Sequence, residues 1–124
     1  MRRGLLIACA VSALIALGSR VEAYSVLTHQ AAIDAAWDSN IRPLLLRRYP
    51  RSSTDDLLRA RSYAYGGSVI QDIGYYPFGS HFFSNLLHYV RSGDFVAALI
   101  RESHDVDEYA FALGALAHYT NDMM

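Results

Sequence analysis

A histidine and an aspartate near the carboxyl end of this chain could do chemistry together. His118 and Asp122 stand four residues apart, where the apolar run of residues 109–119 ends. Such a run without proline predicts a helix that is buried over most of its surface. The spacing places the imidazole and the carboxylate on one helical face, where they could share a metal ion or a hydrogen bond. Taken alone, the pair is more typical of a hydrogen-bonded core histidine than of a metal ligand.

Three further residues could complete a metal site with this pair. His29 opens a predicted helix, where it is either a polar residue of the first turn or a ligand. Asp72 has aliphatic neighbours, so it either caps a helix or binds a cation. His88 stands beside two leucines on another predicted helix and is expected to face the core. Histidine and carboxylate ligands without sulfur suit zinc in a hydrolytic site that keeps one position open for water.

Helices must position these residues, because the sequence shows no alternation typical of strands. Helical spacing, caps and breaks predict an all-α fold, a helical bundle. Residues 66–81 are punctuated by glycine and proline but rich in aromatic and aliphatic side chains, which predicts an ordered and largely buried connection. The predicted helices cover residues 29–37, 40–49, 54–65, 82–90, 94–101 and 109–122, with Asp94 as the cap of the fifth.

The first 23 residues have the pattern of a secretory signal peptide. A short basic start precedes an apolar core at residues 5–18, and small or compact side chains at Val21 and Ala23 predict cleavage after Ala23. The apolar core is too short for a membrane span, which needs about 20 residues. We therefore expect a secreted or periplasmic protein with one domain, residues 24–124, and no transmembrane segment. Cys9 is the only cysteine, so the mature chain would depend on packing or metal rather than disulfides.

The charge balance disfavours nucleic acid as a partner. All 11 basic side chains are arginines, and loss of residues 1–23 would leave eight of them against eleven acidic side chains, a formal charge of −3. No basic stripe exists that could follow a nucleic-acid backbone. A small cluster of arginines at residues 47–51 is more typical of a solvated face than of a phosphate site.

The order of these residues resembles the zinc-dependent phospholipase C and S1/P1 nuclease superfamily. The strongest match is the Leu-x-His-Tyr-x-x-Asp run at residues 116–122, and the spacing from Asp72 to His88 is also close to that of the family. The resemblance extends from Tyr24 to Asp122 and is closest to the bacterial zinc-dependent phospholipase C branch. It implies an all-α enzyme with a site for three zinc ions.

The resemblance also implies which residues bind which metal. The mature N-terminal residue, Tyr24, would bind one zinc through its amino nitrogen and carbonyl oxygen, with His29 beside it. The family usually has tryptophan at this position, but the ligating atoms belong to the main chain, so tyrosine need not abolish binding. Two zinc ions have ligands in this chain under this assignment.

A second zinc would take its ligands from three regions of the chain. The resemblance assigns Asp72, His88 and His118 to this ion, with Asp122 bridging the two metals. His81 competes with His88 for the same role, and the distance from Asp72 favours His88. Asp72 is also the catalytic candidate, because in the family this position would orient the attacking water.

The implied activity is hydrolysis of a phosphodiester by zinc-activated water. A phospholipid substrate would give diacylglycerol and a phosphorylated head group. The family continues to two further histidines and an acidic residue that hold a third zinc, and these are absent here, so a truncated chain is expected and its activity is in doubt. The alternatives are an S1/P1-type nuclease, suggested by the Tyr24 to His29 spacing, and a catalytically inactive helical zinc-binding or interaction module.

Transient contact with a membrane surface is a further expectation. Aromatic side chains cluster in the second half of the glycine-rich segment and just after it, where they could either touch lipid or fill the core, and the local pattern favours the core. These side chains are Tyr75, Tyr76, Phe78, Phe82 and Phe83.

Overall fold

The computed structural model of the protein describes residues 26–123, and within them every regular element is a helix. The all-α prediction is confirmed. The predicted signal peptide and Tyr24 lie outside the described residues. We number the helices α1 (residues 26–36, a π-helical turn at Trp37–Ile41, then Arg42–Arg48), α2 (Thr54–Gly67), α3 (His81–Asn85, continuing into a π-helical turn at Leu86–Val90), α4 (Ser92–Glu102) and α5 (Val106–Asp122). A 3-10 helical turn at Ile70–Tyr75 lies between α2 and α3.

Helix α1 is continuous, although residues 29–37 and 40–49 were predicted to form two separate helices. Apolar residues recur every fourth position along it and pack into the core, which α1 shares with α2 and α5. Pro43 lacks an N–H group, and its ring would crowd the carbonyl four residues earlier in a regular helix. That carbonyl lies within the π-helical turn, whose wider winding accommodates the ring, so the helix continues. The core residues of α1 are Ile33, Trp37, Ile41 and Leu45.

Helices α2 and α5 approach each other so closely that their backbones touch. A side chain at Gly114 would overlap the carbonyl of Ala64, and one at Gly67 would overlap the carbonyl of Phe111. Glycine is required at both positions because any Cβ atom would push the helices apart. The close approach holds the end of α2, and the 3-10 helical turn after it, directly against α5.

Two further local predictions were wrong. Helix α4 begins at Ser92, and Asp94 lies in its first turn with its carboxylate 2.7 Å from Nη1 of Arg91 instead of capping the helix. The connection after α2 is buried only in its first half, since residues 77–80 are all exposed.

The local pattern favoured burial of the aromatic side chains around this connection in the core. The structure shows that some of them are exposed instead. Phe78 is fully exposed and Phe82 is 76% exposed, whereas Tyr76 and Phe83 are partly buried. No helix within residues 26–123 has the length and apolarity needed to cross a membrane.

Candidate metal centre

Helix α5 carries two of the predicted ligands to one end of the core. His118 is 1% exposed, and Asp122 follows one turn later at the more open end of the helix. The Nε2 atom of His118 lies 3.1 Å from Oδ2 of Asp122. The four-residue spacing thus brings imidazole and carboxylate together on one face.

The 3-10 helical turn places the Asp72 carboxylate between three histidines. Its Oδ2 atom is 3.2 Å from Nε2 of His29, which comes from α1. Its Oδ1 atom is 3.1 Å from Nε2 of His88 and 3.8 Å from Nε2 of His118. Asp72 does not cap the turn, whose N-cap is Val69. The carboxylate instead joins groups from three separate helices.

Backbone carbonyls fix the orientation of two of these imidazole rings. The Nδ1 atom of His88 lies 2.7 Å from the carbonyl oxygen of Ser84, and that of His118 lies 2.8 Å from the carbonyl oxygen of Ser68. Because a carbonyl can only accept, both Nδ1 atoms must donate. Each neutral ring therefore presents the lone pair of Nε2 to the centre, and the two Nε2 atoms are 3.2 Å apart.

The centre therefore concentrates acceptor atoms. The lone pairs of His88 and His118 face each other, Asp72 approaches both, and Oδ2 of Asp122 lies 3.4 Å from Nε2 of His88. Acceptors packed this closely need a cation between them, either a proton or a metal ion. The chemistry of this donor set, two imidazole nitrogens and two carboxylates without sulfur, fits zinc.

His29 adds a third imidazole to the centre. It is buried, and its ring stacks on His118 with centroids 4.2 Å apart and planes inclined by 25°. Two stacked imidazoles this close disfavour simultaneous protonation, because like charges repel. Among residues 26–123, no hydrogen-bond partner reaches Nδ1 of His29. Nε2, which lies 3.2 Å from Asp72, is the nitrogen of this ring that could bind a metal at the centre.

The surroundings favour the protonation states that a metal needs. Burial lowers the pKa of His118, although the Ser68 carbonyl and the nearby carboxylates act in the opposite direction. Burial would raise the pKa of Asp72, but the hydrogen bond from His29 and the charges of the neighbouring histidines outweigh it, so the pKa lies below its ordinary value. A neutral imidazole and an ionised carboxylate are the ligating forms.

A cavity of about 580 Å³ lies over the centre. Its walls carry the five ligand candidates together with aromatic side chains that include Tyr75, Tyr89 and Tyr119. By distance, the candidates form two groups of possible ligands that share His118, and in each group the ligand atoms lie within 4.8 Å of one another. The groups are His29, Asp72 and His118, and His88, His118 and Asp122. The resemblance instead assigns Asp72, His88 and His118 to one ion and His29 to the other, with Asp122 bridging the two.

A comparison of the sequence with models of known families matches it to a group of enzymes. The model of zinc-dependent phospholipase C matches residues 28–124, which is most of the chain. The chain belongs to the zinc-dependent phospholipase C family. Comparisons with curated proteins and with solved structures found no match. Family membership supports zinc as the metal of this centre and a phospholipid as the class of substrate.

The two remaining histidines of the described residues lie away from the centre. His81 is exposed, and its ring meets Tyr75 edge to face with centroids 5.6 Å apart. His104 is exposed in the link between α4 and α5. Of the two histidines that competed for one role, only His88 joins the cluster.

Sequence reasoning missed the groups that hold the ligands in place. Ser84 is fully buried, and its hydroxyl accepts the N–H of Gly74 at 2.9 Å while its carbonyl fixes His88. Gln71 is buried and donates to the carbonyl of Ala115 at 3.0 Å, which ties the turn bearing Asp72 to α5. The only signal in the sequence was position: Ser84 lies one turn before His88, and Gln71 directly precedes Asp72.

Proposed function

We propose that the chain is an exported phosphodiester hydrolase of the phospholipase C type that uses zinc-activated water. The observation that carries the proposal is the convergence of the Nε2 atoms of His88 and His118 with the carboxylates of Asp72 and Asp122. Membership of the zinc-dependent phospholipase C family supports it. The ligands proposed for zinc are His29, Asp72, His88, His118 and Asp122, with Tyr24 added if its amino group is freed.

The residues of the chain have distinct tasks in this reaction. The Ser84 and Ser68 carbonyls hold His88 and His118 with their lone pairs towards the cavity. Asp72, kept ionised by its histidine neighbours, orients a water molecule in the cavity and accepts its proton as the water oxygen attacks phosphorus. Zinc bound at the centre would lower the pKa of that water and neutralise charge on the phosphate.

The reaction balances without a covalent intermediate on the protein. The water oxygen forms a bond to phosphorus, and the bond from phosphorus to the glycerol oxygen breaks. That glycerol oxygen takes up a proton, so water and phospholipid give diacylglycerol and a phosphorylated head group. No side chain needs to act as a nucleophile, because water supplies the attacking oxygen.

Release of phosphocholine from phosphatidylcholine by the zinc-loaded protein tests the proposal. We expect Asp72→Asn to lower the rate at least about 100-fold, the scale of a lost general base, while the protein stays folded. Asp38→Asn is the matched control, because Asp38 is an exposed aspartate of α1 outside the cavity. Hydrolysis of single-stranded DNA instead of lipid would favour a nuclease. Bound zinc without hydrolysis of either would favour an inactive zinc-binding module.

Export is part of the same proposal. Cleavage after Ala23 would release the protein into the periplasm or the medium and expose the amino group of Tyr24 as a ligand. Mass spectrometry of the exported protein would identify Tyr24 as its first residue if this is correct. A phospholipid is met at a lipid surface, so the proposal also includes transient contact between the protein and that surface.

A further inference from the structure

One stretch of the chain beside the metal centre lacks charged side chains altogether. Residues 73–90 contain no aspartate, glutamate, lysine or arginine, although such residues make up 19% of the chain. Six of the ten exposed large hydrophobic side chains of the described residues lie in this stretch. We call these six the apolar face: Ile73, Tyr75, Phe78, Phe82, Tyr89 and Val90.

Phe78 is the most exposed member of the apolar face. It lies at the tip of a turn that the N–H of Gly79 closes by donating to the carbonyl of Tyr76 at 2.9 Å. Its φ angle is 69°, and no other non-glycine residue among those described has a positive φ. Glycine or asparagine is favoured in this conformation. A phenylalanine here gains nothing from the backbone or from packing, which points to a partner outside the chain.

The apolar face reaches the mouth of the cavity. Tyr75 and Tyr89 belong to the face and also line the cavity. The ring of Tyr75 lies 5.6 Å from that of His88 and 5.6 Å from that of His81, the neighbour of Phe82 in α3. A surface that covered the face would therefore stand next to the opening above the metal ligands.

We propose that the apolar face docks on the surface of an electrically neutral phospholipid bilayer, so that the cavity opens over the head groups. This inference rests on the proposed function, because a phospholipid substrate lies in such a surface. No lysine or arginine belongs to the face, the adjacent Arg91 is paired with Asp94 at 2.7 Å, and aspartates stand behind the face at the centre. Phenylalanine with tyrosine suits the boundary between hydrocarbon and water, where the rings bury apolar area and the hydroxyls stay wet.

Sedimentation of the zinc-loaded protein with phosphatidylcholine vesicles tests the docking. We expect the double variant Phe78→Ser, Phe82→Ser to partition at least about tenfold more weakly than the unaltered protein, because two exposed phenylalanines lose their apolar burial. Both side chains are exposed, so the fold should be unaffected. Leu58→Ser is the matched control, since Leu58 is 69% exposed on α2 outside the apolar face, and we expect its partition to be unchanged.

Three results would overturn the docking face. One is equal partition of the double variant and the unaltered protein, and another is no binding of the unaltered protein to these vesicles. The third is a concentration-dependent dimer that the double variant abolishes, which would make the face an interface between copies. Hydrolysis of a short-chain phosphatidylcholine dissolved as monomers separates the two proposals. If neither the unaltered protein nor the double variant hydrolyses this substrate, although the two still differ in their partition to vesicles, the proposed function fails and the docking face stands.

Discussion

The Nε2 atoms of His88 and His118 lie 3.2 Å apart, although the two rings come from different helices. Each ring is held from behind by a backbone carbonyl, of Ser84 or Ser68, so neither can turn its lone pair away. A pair of facing lone pairs beside ionised carboxylates is unfavourable without a cation. This arrangement separates the centre from an ordinary network of core histidines, in which each acceptor would meet a donor.

Substitution of His88 and His81 separately tests which histidine serves the centre. We expect His88→Ala to lower zinc affinity at least about tenfold, because it removes one of the proposed zinc ligands and one of the histidines that contact Asp72. His81→Ala should leave zinc affinity unchanged, since His81 is exposed and lies outside the cluster. Zinc titration followed by calorimetry measures both. The reverse order of effects would assign the ligand to His81.

Close packing of α2 on α5 should be as important to the centre as the ligands. An added Cβ at Gly114 would overlap the Ala64 carbonyl and push away the end of α2. Ser68 directly follows α2, and its carbonyl holds His118. We expect Gly114→Ala to lower the free energy of unfolding by about 1–3 kcal/mol and to weaken zinc binding as well.

Gly93→Ala is the control for this glycine. Gly93 is also helical, but a Cβ there would meet only the Tyr119 hydroxyl at 3.7 Å, an ordinary contact. We expect its thermal midpoint to be unchanged or slightly raised, since alanine favours helix. Equal effects of the two substitutions on thermal midpoint and zinc affinity would show that the close approach of α2 and α5 does not matter to the centre.

Local patterns predicted the all-α class and the candidate residues, and the resemblance to a known family grouped these residues into one site. The spacing of His118 and Asp122 and the apolar surroundings of Asp72 depend only on neighbours in the chain. Their convergence is a property of the structure, and their role as ligands is a proposal. The close approach at Gly114 and the two carbonyls behind His88 and His118 could not be predicted, since they depend on how separate helices pack.

The aromatic side chains show the other limit of local patterns. Apolar composition predicts burial on average, but it does not tell which side chains of a helix or turn face the core. Phe83 packs against Phe95 with ring centroids 6.4 Å apart, whereas its neighbour Phe82 is exposed. The π-helical turns could not be predicted either, because an apolar pattern indicates a helix at the ordinary period of 3.6 residues and does not mark a local widening.

The metal-free protein should lose stability as the pH falls. Burial lowers the pKa of His118 below its ordinary value of 6.5. Above pH 6.5, His118 is neutral in both the folded and the unfolded chain. At lower pH its imidazole takes up a proton more readily in the unfolded chain than in the folded one, so the free energy of unfolding falls. The pKa of Asp72 is also lowered, so its stabilisation is present above 3.8 and is lost as the pH falls through the folded value. His118 and Asp72 therefore both lower the free energy of unfolding as the pH falls.

Urea unfolding in the presence of a chelator, at pH 7.5 and at pH 5.5, measures this dependence. We expect the unaltered protein to be less stable at the lower pH, and His118→Gln to show a smaller difference because it removes one titrating group while keeping a donor for the Ser68 carbonyl. Greater stability at pH 5.5 would contradict a lowered pKa for His118. Zinc should bind more weakly at pH 5.5 as well, since protons compete for imidazole nitrogen.

The measurement that tests the centre most directly is the zinc content of the purified mature protein, with His118→Ala and His104→Ala beside it. His118 belongs to both groups of candidate ligands, whereas His104 is exposed in a link between helices. Because Nε2 of His118 has one lone pair and can bind one ion, we expect about two zinc ions per chain in the unaltered protein and in His104→Ala, as the resemblance implies, and about one fewer in His118→Ala. An unaltered protein that binds no zinc, or a His118→Ala variant that keeps all of it, would contradict the assignment of this centre as a zinc site.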